Sequence, residues 1–91
     1  MIHKDRVHFL FTQIADVVAQ FILSAQSGFS EGWVPAAYIK EQLELKKSSY
    51  PQGNKIDNET GWLFATIARD LQDRGKVEFR KIGNRSYYRC K

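Results

Sequence analysis

Residues 76–90, KVEFRKIGNRSYYRC, decide the predicted fold of this chain of 91 residues. Two strand-like runs, KVEFRKI and RSYYRC, flank Gly83-Asn84, a pair typical of a two-residue hairpin turn. A turn at this place fixes the register, so that the numbers of paired residues sum to 167 and Phe79 faces Tyr88 across the hairpin. The sequence therefore predicts a C-terminal antiparallel hairpin.

Alternation along these strands separates an apolar face from a charged one. The predicted core face carries Val77, Phe79, Tyr88 and Cys90. The predicted solvent face carries Glu78, Arg80, Ile82, Arg85, Tyr87 and Arg89. One side of the hairpin is thus expected to close a hydrophobic core, while the other presents cations mixed with an aromatic ring.

The N-terminal part of the chain predicts one long amphipathic helix, capped by Asp5, running to about Ser27 and stopped by Gly28. Apolar residues recur there at three- and four-residue spacing and predict one stripe that faces the core: Val7, Leu10, Phe11, Ile14, Val17, Val18, Phe21 and Ile22. Phe9 and Leu23 fall near the opposite face, where they are either covered separately or form a partner surface.

Two further helices are predicted between this helix and the hairpin. Trp33-Val34 predicts a very short strand, and Pro35 suits the first turn of a helix that ends near Glu44. The segment LKKSSYPQGNKIDNET has no apolar periodicity and predicts a long loop. Asp57 or Asn58 then caps a third helix that ends at Gly75. Its inward residues are Leu63, Phe64, Ile67 and Leu71. Its outward residues are Trp62, Ala65, Arg69 and Gln72, with Thr66 and Asp73 at the margin of that face.

Charge is distributed unevenly along the chain. Residues 1–68 contain six Lys or Arg against seven Asp or Glu, whereas residues 69–91 contain eight against three, so the whole excess of the net charge of +4 lies in the last quarter. A concentrated basic region indicates a polyanion as partner, although a solvated basic end that keeps the protein soluble has the same composition. Size and composition predict a single domain over residues 1–91, and the predicted helices and hairpin make it an α+β domain.

Few residues suggest catalysis or metal binding. The lone Cys90 has no disulfide partner, and His3 and His8 lie on different sides of the predicted helix with no further ligands nearby. No phosphate-binding loop or acid/base pair is present, so we expect neither an enzyme nor a cofactor. No apolar run approaches the length of a signal core or a transmembrane helix, which predicts an intracellular, cytoplasmic protein.

The order of helix, short strand, helix, loop, helix and hairpin resembles the winged helix-turn-helix superfamily. The resemblance covers Asp5 to Arg89, and its most specific part is Leu71, Gly75 and Val77, where a helix ends at glycine and enters the first strand of the wing. It implies binding of double-stranded DNA and transcription regulation, with the third helix in the major groove and the wing on the backbone. The residues it implies for nucleic-acid binding are Trp62, Ala65, Thr66, Arg69, Gln72, Arg80, Lys81, Asn84 and Arg85.

One alternative to DNA binding remains open at this point, a domain that binds another protein. Such a domain would use Trp62, Ile82 and Tyr87 as contacts and its arginines for an acidic partner, since this fold also serves protein contacts. The distinguishing feature is whether Asp70, Asp73 and Glu78 divide the basic surface of the third helix from that of the hairpin.

A homodimer through the first helix is also possible. Phe9 would meet the partner's Leu23 in an antiparallel pair that is symmetric about Asp16. That symmetry brings two Asp16 carboxylates together, which is unfavourable unless they are offset.

Overall fold

The computed structural model describes residues 2–45 and 62–91, which form three α-helices and a three-stranded antiparallel sheet. The elements in chain order are α1 (Ile2–Ala25), β1 (Val34–Pro35), α2 (Ala36–Gln42), α3 (Trp62–Asp73), β2 (Val77–Ile82) and β3 (Arg85–Cys90). Two short 3-10 turns, Gln26–Gly28 and Ser30–Gly32, connect α1 to β1. The predicted cap at Asp57 or Asn58, and the predicted loop beyond Leu45, lie outside the described residues.

The hairpin has the predicted turn and register. Val77 pairs with Cys90, Phe79 with Tyr88 and Ile82 with Arg85. The short strand β1 pairs with β3, so that β3 lies at the centre of the sheet and β2 at its edge. The hairpin is therefore joined to the middle of the chain through β1.

One face of the sheet packs against the helices. The buried residues come from every one of these elements: Ala15, Val18, Ile22, Val34, Ile39, Phe64, Ile67, Ala68, Leu71, Val77 and Tyr88. The Tyr88 ring packs edge-on against Phe64, with ring centres 5.7 Å apart. The predicted inward side of α3 and the predicted core residues Val77 and Tyr88 are thus confirmed.

Phe79 differs from its predicted place in the core, because 41% of its surface is exposed. Its ring contacts Tyr88, at 5.3 Å between ring centres, but it lies on the edge strand β2. The sheet face is therefore closed by Tyr88 and Val77, and Phe79 lies at its margin.

The end of α3 follows from Gly75. Its backbone has φ of +72°, a conformation that is strained for residues with a Cβ. The amide of Gly75 donates to the Gln72 carbonyl at 3.0 Å, and the amide of Lys76 donates to Leu71 at 2.8 Å. This hydrogen-bond pattern satisfies the last carbonyls of the helix and turns the chain into β2.

The first two helices differ from their predicted bounds. The helix α1 begins at Ile2 rather than at Asp5, and α2 ends at Gln42 rather than near Glu44. Pro35 precedes α2 in an extended conformation (φ −65°, ψ 139°), where it completes β1 instead of belonging to the first helical turn. Proline is accepted there because it fixes φ and donates no hydrogen bond.

Only part of the predicted apolar stripe of α1 reaches the core. Val18 and Ile22 of this stripe are buried, together with Ala15, which was not predicted to belong to it. Four residues of the stripe remain exposed: Val7 by 64%, Leu10 by 48%, Ile14 by 49% and Val17 by 58%. The helix is about 36 Å long, and its N-terminal half projects beyond the elements that cover its C-terminal half.

We expected no apolar run of transmembrane length from the sequence, but α1 meets the length and composition of a membrane-spanning helix, as core helices of globular proteins also can. An 18-residue window within Ile2–Gly28 has a mean hydropathy of 1.4, which is apolar enough to cross a membrane by length and composition only. The buried residues Ala15, Val18 and Ile22 nevertheless make this helix part of the domain core.

Candidate nucleic-acid interface

The outward surface of α3 carries the polar residues that the sequence analysis singled out. Arg69 and Thr66 are exposed and Gln72 is half-buried. These three residues line a shallow open groove of about 440 Å³ together with Ala65 and Tyr88. The side chain of Trp62, which was predicted to belong to the same surface, lies outside the described part of the chain.

The hairpin divides its cations between two faces of the sheet. Lys81 pairs with Ser86, and strand alternation places it on the face of Phe79 and Tyr88, next to α3. Arg80 and Arg85 belong to the opposite face, and Asn84 lies in the turn between the strands. The predicted wing residues therefore do not form one surface, except around the tip of the hairpin.

Two of the three acids that could interrupt the basic surface are bound to cations of the same chain. The guanidinium of Arg74 donates to Asp70 at 2.7 Å and to Asp16 of α1 at 3.3 Å. Arg89 donates to Glu78 across the hairpin at 3.0 Å. The hydrogen bond to Asp70 is the main reason that the pKa of Arg74 lies above its usual value, so this cation stays charged.

Most cations of residues 62–91 remain without a carboxylate partner. This segment holds eight Lys or Arg and three Asp or Glu, and the ion pairs of Arg74 and Arg89 account for two of the acids. Within the described residues, Arg69, Lys81 and Arg85 form no ion pair. The exposed surface around α3 and the hairpin tip is therefore basic, with Asp73 as its one acid outside these ion pairs.

Trp33 was not among the predicted site residues, yet it organises the opposite face of the sheet. The Arg89 guanidinium lies 4.3 Å from the Trp33 ring centre, and that of Arg80 lies 5.4 Å away. Both distances allow cation–π attraction. We call this the outer sheet face; its members are Trp33, Arg80, Ile82, Arg85, Tyr87 and Arg89. In the sheet Val34 lies opposite Tyr88, so one further step along the two strands brings Trp33 beside Arg89.

Comparison of the chain with protein-family profiles, with curated protein sequences and with solved structures gives no match. The function is therefore inferred from the residues and their geometry alone.

Proposed function

We propose that the protein is a winged-helix domain that binds nucleic acid, and that its ligand is double-stranded DNA. The order of elements along the chain supports this fold assignment, because α1, β1, α2, α3 and the hairpin follow one another as the resemblance implies. In this arrangement α3 enters the major groove and the hairpin contacts the phosphate backbone.

The observation that carries the proposal is the internal pairing of the acids. Asp70 and Glu78 would repel phosphate if they were free, but each is neutralised by an arginine of the same chain. Arg69, Lys81 and Arg85 are left to meet an anion. Unpaired exposed cations of this kind supply most of the sequence-independent affinity for DNA.

The side chains of α3 suit contacts with bases. Arg69 has the planar fork that grips guanine, and Gln72 can donate to and accept from adenine. Thr66 lies in the same groove. Lys81, Asn84 and Arg85 at the hairpin tip supply backbone contacts, which position the protein without reading the sequence.

A titration of fluorescent random duplex DNA at about 50 mM and about 200 mM salt tests the proposal. The variant Lys81→Ala/Arg85→Ala should bind all duplexes more weakly, with a salt dependence shallower by roughly two units of slope. The control Lys4→Ala/Arg6→Ala removes the same charge from exposed positions of α1. It should bind as the parent does. A parent that does not bind at low salt would exclude nucleic acid as the ligand.

The outer sheet face favours a second candidate, a contact with an acidic protein. Ile82 is 52% exposed there, and it lies with Tyr87 and Trp33 along a shallow depression of about 380 Å³. Apolar and aromatic side chains next to arginine are typical of protein contact sites. If Ile82→Ser abolished a protein contact in a chain that did not bind DNA, this second function would replace the first.

A further inference from the structure

The exposed stripe of α1 is separate from the face that the core uses. We define the α1 stripe as Val7, Leu10, Ile14 and Val17, each about half or more exposed. The buried residues Ala15, Val18 and Ile22 lie on the neighbouring side of the same helix. One helix therefore carries two apolar rows, and only one of them is covered in the described residues.

The spacing of the stripe indicates what kind of surface covers it. Its residues follow one another at steps of three, four and three, which is the heptad spacing of a coiled-coil seam. His3 extends the same row by one step towards the N-terminus. Phe21 extends it by one step at the other end, where it is half-buried and its ring stacks on Tyr38 with ring centres 6.1 Å apart. A row with this spacing stays on one side of a helix and fits the matching row of another helix.

The distribution of charge around the stripe favours a second copy of the chain. No charged residue lies on the row between Val7 and Phe21, and the two acids of α1, Asp5 and Asp16, fall on the far side of the helix. Two copies can therefore approach each other without like charges meeting. Asp16 is in addition bound to Arg74 at 3.3 Å.

We propose that α1 forms an antiparallel homodimer through this stripe, with the two-fold axis between Leu10 and Ile14, at the level of residue 12 along the helix. In this register Leu10 packs against Ile14 of the second copy, and Val7 against Val17. His3 then meets Phe21. Val7, Ile14 and Phe21 occupy a positions of the heptad, and His3, Leu10 and Val17 occupy d positions. Each layer of the antiparallel pair therefore joins an a position of one copy to a d position of the other. The Phe9–Leu23 face, by contrast, has Asp16 at its centre.

The shape of the protein is compatible with this pair. The buried residues of α1 lie in its C-terminal half, so an antiparallel arrangement places the two packed bodies at opposite ends of the helix pair. Contact from residue 3 to residue 21 extends over about 27 Å and buries on the order of 1,000 Å², near the lower limit for a specific interface. Because the contact is small, we expect the dimer to dissociate on dilution.

Sedimentation velocity over a range of concentrations tests the proposal, with two charge variants of opposing layers. Leu10→Glu and Ile14→Lys each place a charge against an apolar residue of the second copy, so each should weaken dimerisation more than about tenfold. An equimolar mixture should dimerise again, since the carboxylate introduced in one variant then faces the ammonium group introduced in the other. A parallel pair would not recover in the mixture, because equal positions face each other there.

The control is Phe9→Glu, which places the same charge on an exposed apolar residue outside the stripe. It should leave the dimer unchanged. Circular dichroism of each variant shows whether the fold is retained, as the exposure of all three positions predicts.

A parent that stays monomeric at several hundred micromolar overturns the proposal. So does a dimer that Phe9→Glu dissociates, or one whose two charge variants do not recover in the mixture. A monomer that binds vesicles of phosphatidylserine and phosphatidylcholine through the stripe would instead assign this surface to lipid. None of these outcomes depends on DNA binding, which is measured separately.

Discussion

The guanidinium of Arg89 lies over the ring of Trp33, 4.3 Å from its centre, and this contact fastens the hairpin to the segment before β1. Arg89 is held in place by Glu78 at 3.0 Å and by the carbonyl of Glu31 at 2.8 Å. Glu31 itself has φ of +55°, a backbone conformation that is rare outside glycine. A single arginine thus connects three segments of the chain, and it serves structure rather than anion binding.

Replacing Arg89 by alanine is expected to destabilise the protein by about 1–2 kcal/mol, because the cation–π contact and two charged hydrogen bonds are lost at a half-exposed site. Trp33 becomes more exposed to water, so its fluorescence emission moves to longer wavelength. Arg80→Ala, the control, removes only the longer contact at 5.4 Å and should cost less. Urea unfolding followed by fluorescence measures both effects, and equal losses in the two variants would contradict this role for Arg89.

The hairpin could be predicted in full because its information is local. The turn at Gly83-Asn84 and the alternation of side chains determine the register without reference to the rest of the chain. The exposure of Phe79 could not be predicted in the same way, since it depends on how far the helices extend over the edge strand. The same reason explains α1, where the periodicity identified an apolar row but not which part of it another element covers.

The predicted site was only partly recoverable from the sequence for a related reason. The outward face of α3 follows from helical period alone, and Arg69 and Thr66 are exposed as expected. How close the hairpin tip lies to the outward face of α3 depends on the packing of Tyr88 against Phe64, a contact between residues distant in the sequence. The pairing of Asp70 with Arg74 at a separation of four residues could have been anticipated, because such pairs are neighbours on a helix.

Gly75→Ala should destabilise the protein by about 1 kcal/mol or more, because φ at this position is +72° and alanine is strained there. No atom lies within 4 Å of the added Cβ, so the cost comes from the backbone alone. Gly28→Ala is the matched control, since its added Cβ also meets nothing within 4 Å and its backbone is not in the strained region. Thermal unfolding should separate the two variants, and equal stability would show that the end of α3 tolerates another conformation.

Stability is expected to fall as the pH rises above about 9. Burial raises the pKa of the Cys90 thiol and that of the Tyr88 hydroxyl above their usual values. The unfolded chain therefore loses these protons at a lower pH than the folded chain does. The stabilisation from the neutral Cys90 and Tyr88 is complete at pH values below the pKa values of these groups in the unfolded chain. It is lost as the pH rises through their pKa values in the folded protein.

Cys90→Ser tests the first step of this loss, because serine does not ionise and its hydroxyl can still donate to the Ala19 carbonyl, as the thiol does at 3.4 Å. Unfolding free energies measured from about pH 7 to about pH 11 should decline less steeply near pH ~9 in the variant. Tyr88→Phe is expected to act in the same direction at higher pH. Identical pH profiles for parent and both variants would show that neither group contributes.

The division of the hairpin cations between two faces leads to the last prediction. If α3 enters the major groove of DNA, the face of the hairpin that adjoins α3 is closer to the duplex than the outer sheet face. Lys81 belongs to the near face, whereas Arg80 lies over Trp33 on the far one. Lys81→Ala should therefore shallow the salt dependence of binding by roughly one unit of slope, and Arg80→Ala by less.

The two variants lose the same charge from exposed positions of neighbouring residues, so each controls for the net charge of the other. Should Arg80→Ala have the larger effect, the duplex would have to contact the outer sheet face, and Arg69 on α3 would no longer be placed to contact bases.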